Sequence, residues 1–354
     1  MQVQGNGLYT PYKLNRPLTW EEKDDQLCQG KPTQINSKYG QYIVDYNTVI
    51  RMNSTYMETV DKYYGDKGFA SSLTATLFFC YLGMALFSIG YTIYQYIKGD
   101  HEILLSLLIC LPVISLFIYF SGKFTLKEWF ATTHYPIRFN RKTQMIHVYR
   151  FNGTVLSAPW KAVFFTLTIV GVKRPEWSID GHILADDQET VLETFSLGIS
   201  GPRDMLPGYW EFIRCYMEED GLQEQADIIA LCPPIEKQKE SYIFGLQYLM
   251  RMNSRLNWIF GIVKLPFDLI SSVARYIAMQ TSKMPQWPQE VEETCQVDPD
   301  DPINVSAANN PVHLWRYVLA NQTREERRVL HDRQLSAHKR LQEKIAMAHS
   351  STDK

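Results

Sequence analysis

This sequence has no surplus of charge of either sign. Its 354 residues carry 36 Lys+Arg against 38 Asp+Glu, a formal net charge of -2, so no global field recruits nucleic acid and none is expected as a partner. Cysteine is also sparse. Cys28, Cys80, Cys110, Cys215, Cys232 and Cys295 include no pair at CxxC spacing, which argues against a disulfide framework or a zinc site and suits a cytosolic compartment. Catalytic signatures are missing too: there is no Walker A loop, HExxH, GxSxG or dinucleotide fingerprint, and Gly198-Ile199-Ser200-Gly201 lacks the spacing of a nucleophile elbow. His134, His147 and His182 fall in or beside strand-like runs and read as packed or surface imidazoles. Cys215 reads as helix core, and Asp298, Asp300 and Asp301 read as a solvated linker without calcium-loop spacing. No catalytic residue, cofactor or metal ligand is assigned, and a non-enzymatic protein is expected. The N-terminus shows no signal-peptide pattern.

The most informative absence is local. From Gly68 to Ile97 and again from Ile103 to Gly122 there is no Asp, Glu, Lys or Arg. A helix needs roughly 20 apolar residues to cross a hydrocarbon core of about 30 Å, and both runs meet that length, so a two-helix transmembrane hairpin is predicted over 68–122, with spans 68–97 and 103–122. The first span then acts as the targeting signal. Only Lys98, Gly99, Asp100, His101 and Glu102 lie between the spans, which puts both chain ends on one side. Arg51, Lys62 and Lys67 before the hairpin, and Lys123, Lys127, Arg138, Arg141 and Lys142 after it, place both termini in the cytoplasm by the positive-inside rule. Tyr91, Tyr94, Tyr96, Tyr119, Phe120, Trp129 and Phe130 suit an aromatic belt, and Pro112 predicts a kink. Gly83, Ser88, Gly90 and Ser106 are candidate helix-packing positions.

Residues 1–67 read as a cytoplasmic arm with one strand, Tyr42 to Ile50, packed on the region that follows the hairpin. Residues 123–220 carry a clear β pattern: Ile137 to Asn140, Met145 to Phe151, an Asn152-Gly153 turn of type I′, Thr154 to Ser157, then Pro159-Trp160, Val163 to Val170, Ser178 to Leu184 and Thr190 to Leu197. A helix follows, with Trp210, Ile213 and Met217 at helical spacing. The expected fold is a membrane α+β protein whose cytoplasmic antiparallel barrel or sandwich is closed by a helix, with further C-terminal helices. On the layout of Ile137 to Trp160 it resembles bacterial pleckstrin-homology-like domains, which often follow transmembrane helices.

Residues 221–302 read as an amphipathic helical region and linker. Between Ser241 and Gln280, Asn257, Gly261, Lys264, Asp268, Ser271 and Arg275 form a narrow polar stripe on an otherwise apolar helix. One reading is an interfacial helix with Trp258 and Phe260 at headgroup depth and Lys264 and Arg275 on lipid phosphates; the other is a helix packed in the cytoplasmic domain. A third span is disfavoured by its charges. Residues 303–354 predict a charged C-terminal helix with an N-cap at Thr323 and Glu326 at capping-box spacing. It reads either as a solvated tail or as a docking helix for a partner.

The hairpin, Tyr135-Pro136-Ile137-Arg138-Phe139-Asn140-Arg141, Pro159-Trp160, the run Leu256 to Val263 with Pro266, and Pro285-Gln286-Trp287-Pro288 resemble a mainly proteobacterial family of two-span inner-membrane proteins of unknown function, some encoded near type VI secretion genes. The resemblance covers roughly residues 68–302. It implies an immunity protein against a membrane-acting toxin or effector. An adaptor holding a cytoplasmic or secretion-associated partner at the bilayer is the alternative, and a lipid-acting membrane enzyme is the reading least supported by motifs. The oligomeric state is left open.

Overall fold

The computed structural model describes residues 7–33, 35, 42–170, 176–253, 258–310 and 324–352. The chain divides into two units: unit 1 is Met1–Tyr64, His134–Gln238 and Met284–Lys354, and unit 2 is Gly65–Thr133 and Lys239–Lys283.

Unit 1 holds β1 (Arg16–Pro17), α1 (Trp20–Asp24), β2 (Gln26–Leu27), β3 (Val49–Asn53), β4 (Tyr56–Thr59), β5 (Ile137–Asn140), β6 (Met145–Tyr149), β7 (Val155–Pro159), β8 (Val163–Val170), β9 (Glu176–Leu184) and β10 (Thr190–Gly201). Unit 2 holds α2 (Phe69–Ile97) and α3 (Ile103–Thr125). Unit 1 resumes with α4 (Leu206–Glu218) and α5 (Leu222–Ile228), unit 2 adds α6 (Tyr242–Asn253) and α7 (Trp258–Thr281), and unit 1 ends with α8 (Gln289–Thr294), β11 (Asn304–Ser306) and α9 (Arg324–Thr352).

Of the expected barrel or sandwich, a closed barrel is not what forms. Unit 1 contains two antiparallel sheets, one ordered β1-β10-β9-β8-β2 and the other β11-β3-β4-β5-β6-β7. The N-terminal segment supplies strands to both, which the single-strand reading missed. Its alternation from Tyr42 to Ile50 is interrupted because Asp45 Oδ2 accepts from Asn47 N–H, and Tyr46 and Asn47 take φ of 50° and 58°; the strand starts only at Val49. The β6–β7 hairpin has its turn at Asn152-Gly153, but only Gly153 of the pair has positive φ, and Arg150 N–H donates to Thr154 O at 2.8 Å. It is therefore a longer loop than a two-residue type I′ turn.

In the six-stranded sheet, register sorts residues by face. Met52, Met57, Phe139, Ile146 and Ala158 stand side by side across β3 to β7 and all enter the core. The other sheet contributes Phe165, Ile179, Phe195 and Leu197. Trp160 stacks on Trp210 of α4 at 5.5 Å, and both are fully buried. On α4, Arg214 is surrounded by Glu211 at 2.6 Å, Glu218 at 3.0 Å and Glu219 at 2.8 Å. Glu218 also accepts from Trp160 Nε1 and Gly30 N, and Glu211 from Thr33 N, so the acids that neutralise the arginine also fasten the N-terminal segment along the helix.

The C-terminal helix α9 is not a solvated tail. Ala337, Leu341 and Ile345 are buried at i, i+4 and i+8 in the main core, His338 Nδ1 accepts from Ile43 N–H at 3.2 Å, and Lys344 pairs with Glu224 at 2.8 Å. A three-residue stripe is enough because each member is almost completely covered. Thr323, the expected N-cap, lies outside the described residues. Asp301, expected in a solvated linker, accepts from Ser54 N–H and Oγ–H at 2.8 and 2.7 Å and holds the approach to β11. Leu341→Ala should lower unfolding free energy by about 3 kcal/mol and expose α9 to limited proteolysis, whereas Val329→Ala, at an exposed position, should change neither; a denaturant titration and a protease time course check both.

Candidate functional site

Unit 2 contains most of the residues singled out by sequence. Within the hairpin the buried positions are Ser71, Ala75, Ala85 and Thr92 on α2, and Ser121 and Thr125 on α3. Thr125 Oγ1 lies 2.9 Å from Thr74 Oγ1, and Tyr81 stacks on Phe117 at 5.0 Å. Gly83 and Gly90 are not part of this seam: a side chain at either would meet nothing within 4 Å. Ser106 is exposed and Ser88 half-buried. Helical phase explains the result, since small residues at 83 and 90 share one face and the buried set shares another.

Arg275 also departs from its expected role. It is fully buried and grips Glu240 with a two-pronged fork, Nε to Oε1 at 2.7 Å and Nη2 to Oε2 at 2.8 Å, while Nη1 donates to Lys67 O at 3.1 Å. It reaches no lipid phosphate from there. Gly68, at φ 95°, sits so close that a Cβ would lie 2.5 Å from Arg275 Cβ, and only glycine fits. Glu128 Oε2 accepts from Gly68 N–H and Ser71 N–H, satisfying free donors at the start of α2. Lys264 is 39% exposed and lies 3.9 Å from Asp268. Trp258 and Phe260 belong to α7 by backbone, but their side chains lie outside the described residues. Further along α7, Val263, Phe267, Ile270 and Val273 are exposed, so this helix leaves an apolar face uncovered.

In unit 1 a polar row runs across the six-stranded sheet. Ser306, Arg51, Glu58, Arg138, His147 and Ser157 are successive register partners on β11, β3, β4, β5, β6 and β7. The row is one residue out of step with the apolar core row, so strand alternation sends it to the opposite face. Arg138 anchors it. Its guanidinium lies 2.7 Å from Glu58, between the rings of Tyr56 at 4.5 Å and Trp287 at 4.7 Å, and Trp287 Nε1 donates to the same carboxylate at 3.1 Å. Although burial works against its charge, Glu58 and its neighbours raise the Arg138 pKa. His147 experiences the opposite: burial first, then Arg138, push it down to about 4, so it is neutral at pH 7.

Beside this row opens a polar cavity of about 460 Å³, lined by Arg51, Glu58, Arg138, His134, Glu236 and Trp287 among others. Arg51 pairs with Glu236, while Arg138 also meets the exposed Glu292 at 3.3 Å. Arg51 Nε is buried without a hydrogen-bond partner among the described residues. Such a site is equipped to receive hydrogen-bond acceptors. It has two guanidiniums, the Lys237 ammonium, three carboxylates and the His134 imidazole, but no serine or cysteine nucleophile among the lining residues. No cluster able to hold a metal ion occurs among the described residues.

None of this row was singled out as a site in the sequence, although Tyr135 to Arg141 and Pro285 to Pro288 were singled out as motifs. The fold brings those two motifs together in the Arg138–Trp287 contact. The signal that could have found the row is the placement of Arg138 and His147 at polar steps of otherwise apolar strands.

The family model for a family of unknown function, DUF6708, matches residues 114–299, more than half of the chain, and the chain belongs to that family. No curated protein and no solved structure matches it.

Removing one side of a buried ion pair leaves the other charge unmet. Arg138→Met should therefore cost about 3 kcal/mol of stability, and adding Glu58→Leu should recover part of it, as read by a double-mutant cycle in denaturant. His147 gives a pH prediction: its folded pKa lies below the unfolded value, so its contribution is complete above about 6.5 and is lost as pH falls toward 4. Melting temperature should drop across that window, and His147→Gln should flatten the slope.

Proposed function

We propose that this DUF6708 protein is a membrane-anchored, non-enzymatic binding protein held in a bacterial inner membrane by α2 and α3, with both termini in the cytoplasm. The observation that carries the reading is the hairpin. Its helices are 29 and 23 residues long, and only 11% and 6% of their most apolar stretches are buried, whereas a core helix of comparable hydropathy would be covered. The exposed apolar face of α7 supports the same environment, as an interfacial helix beside the spans. Of the two cations expected at lipid phosphates, Lys264 is partly exposed beside Asp268 and Arg275 is buried on Glu240.

The tip, Lys98 to Glu102, is too short to hold a folded periplasmic partner. Contact with a membrane-acting toxin would use the outward helix faces, where Gly83 and Gly90 leave the backbone open to close approach. This is the immunity reading, favoured by the resemblance to proteins encoded near type VI secretion genes. The polar cavity beside Arg138 supports a second reading, an adaptor that holds a cytoplasmic partner at the bilayer through unit 1.

The anchor is tested by expression in bacterial cells. The full chain should stay in the membrane pellet after alkaline carbonate washing, and alkaline phosphatase fused after Lys142 should be inactive; release by carbonate defeats the anchor, and an active fusion defeats the orientation. Co-expression with a neighbouring toxin candidate separates the two roles. Survival that depends on this protein supports immunity, while unchanged killing with both proteins in the membrane favours the adaptor.

A further inference from the structure

Unit 1 contains a second cavity, of about 340 Å³, with Tyr63, Tyr135, Phe151, Lys62, Tyr12 and Ser196 among its lining residues. It is unlike the cavity beside Arg138 in having an aromatic wall with polar groups gathered at one place. Phe151 meets Tyr135 edge to face at 4.6 Å and Tyr63 at 5.7 Å, an arrangement that offers both ring faces and edges to an aromatic guest.

The polar groups form a chain of hydrogen bonds whose capacities can be counted. Lys62 Nζ donates to Ser196 Oγ at 2.8 Å, and the Ser196 hydroxyl donates to Asp180 Oδ1. Asp180 also accepts from Thr168 at 2.6 Å and Ser178 at 3.1 Å. Since the one proton of Ser196 is committed to Asp180, the Tyr12 hydroxyl, 2.8 Å away, donates to Ser196 and fills its second lone pair. The other acids at the cavity are likewise engaged. Asp61 accepts from Tyr63 N–H at 3.0 Å and Tyr135 N–H at 2.8 Å, and Glu193 pairs with Arg150 at 3.1 Å.

Donors are left over. Lys62 makes no ion pair among the described residues; its polar contacts are Ser196 and, at 5.5 Å, the Tyr63 ring. An ammonium has three N–H groups, so two remain unspent. Arg150 Nε is buried without a partner among the described residues. Burial pulls the Lys62 amine below its ordinary range while Asp180 and Asp61 oppose that shift, and an acceptor brought against Nζ would relieve the same desolvation.

We propose that this cavity binds a small free carboxylate with an aromatic body, the ring seated among Tyr63, Tyr135 and Phe151 and the carboxylate accepting from Lys62 Nζ. The volume is in the range of small-molecule pockets, roughly 300–1,000 Å³, and the match of an apolar body to one polar anchor follows the usual division between affinity and orientation. The proposal does not depend on the identity of any protein partner.

The test uses the full chain in lipid nanodiscs, titrated calorimetrically with 4-phenylbutanoate and with its neutral isostere 4-phenylbutanamide, against empty nanodiscs. The acid should bind about tenfold tighter than the amide or better, as expected for one charge-assisted hydrogen bond. Lys62→Met should abolish that preference and Lys62→Arg should retain it. Failure of the acid to bind, or equal binding of acid and amide by the unaltered protein, overturns the proposal; this comparison needs no variant to fold. Retention of the acid's preference by a folded Lys62→Met protein also overturns it.

Discussion

A guanidinium taken out of water keeps its proton, so the fold must bring acid to it. Arg138, Arg214 and Arg275 are all buried, and each determines the placement of its surroundings. Arg214 collects three glutamates, and two of them tie the N-terminal segment to α4. Arg138 reaches Glu58 on the neighbouring strand and Trp287 from a remote loop. Arg275 binds Glu240 and the peptide carbonyl just before α2. A buried pair of this kind adds little net stability compared with a well-packed apolar pair, but breaking it is costly. Its value lies in specifying which segments meet.

Strand alternation then separates chemistry from packing. In the six-stranded sheet the apolar row and the polar row differ by one residue of register, so the core and the cavity beside Arg138 are two faces of the same strands. A slip of one residue would put Arg138 and His147 into the core and Phe139 and Ile146 against Trp287. The site is therefore protected by the same burial that holds the sheet together.

The apolar hairpin was legible because a run without charge is a property of the sequence itself, and α2 and α3 begin and end within a few residues of the runs. Strands β5 to β10 were legible from alternation for the same reason. Pairing was not. Nothing local indicates that Arg16–Pro17 joins β10 or that Asn304–Ser306 joins β3, and those long-range partners extend the edges of two separate sheets where a barrel or sandwich was expected. Charged residues misled most. Arg275 on a polar helical stripe looks the same in sequence whether it meets lipid phosphate or Glu240, because a periodic pattern gives the face of a helix and not what covers it. The short stripe of α9 misled in the other direction: Ala337, Leu341 and Ile345 are few but almost fully covered.

The connectivity has a consequence for how the chain is made. Among the described residues, β1 to β4 precede α2, and β5, which pairs with β4, is translated after α3. When the apolar hairpin leaves the ribosome, β4 still has a bare edge, and the outer edge of β3 stays open until β11, which follows α8 in the chain, has been made. Pairings separated so far in sequence form slowly and leave strand edges open to wrong partners. Synthesis order thus delivers the hairpin before unit 1 can complete either sheet, and β1 to β4 must be kept from premature association for that whole interval.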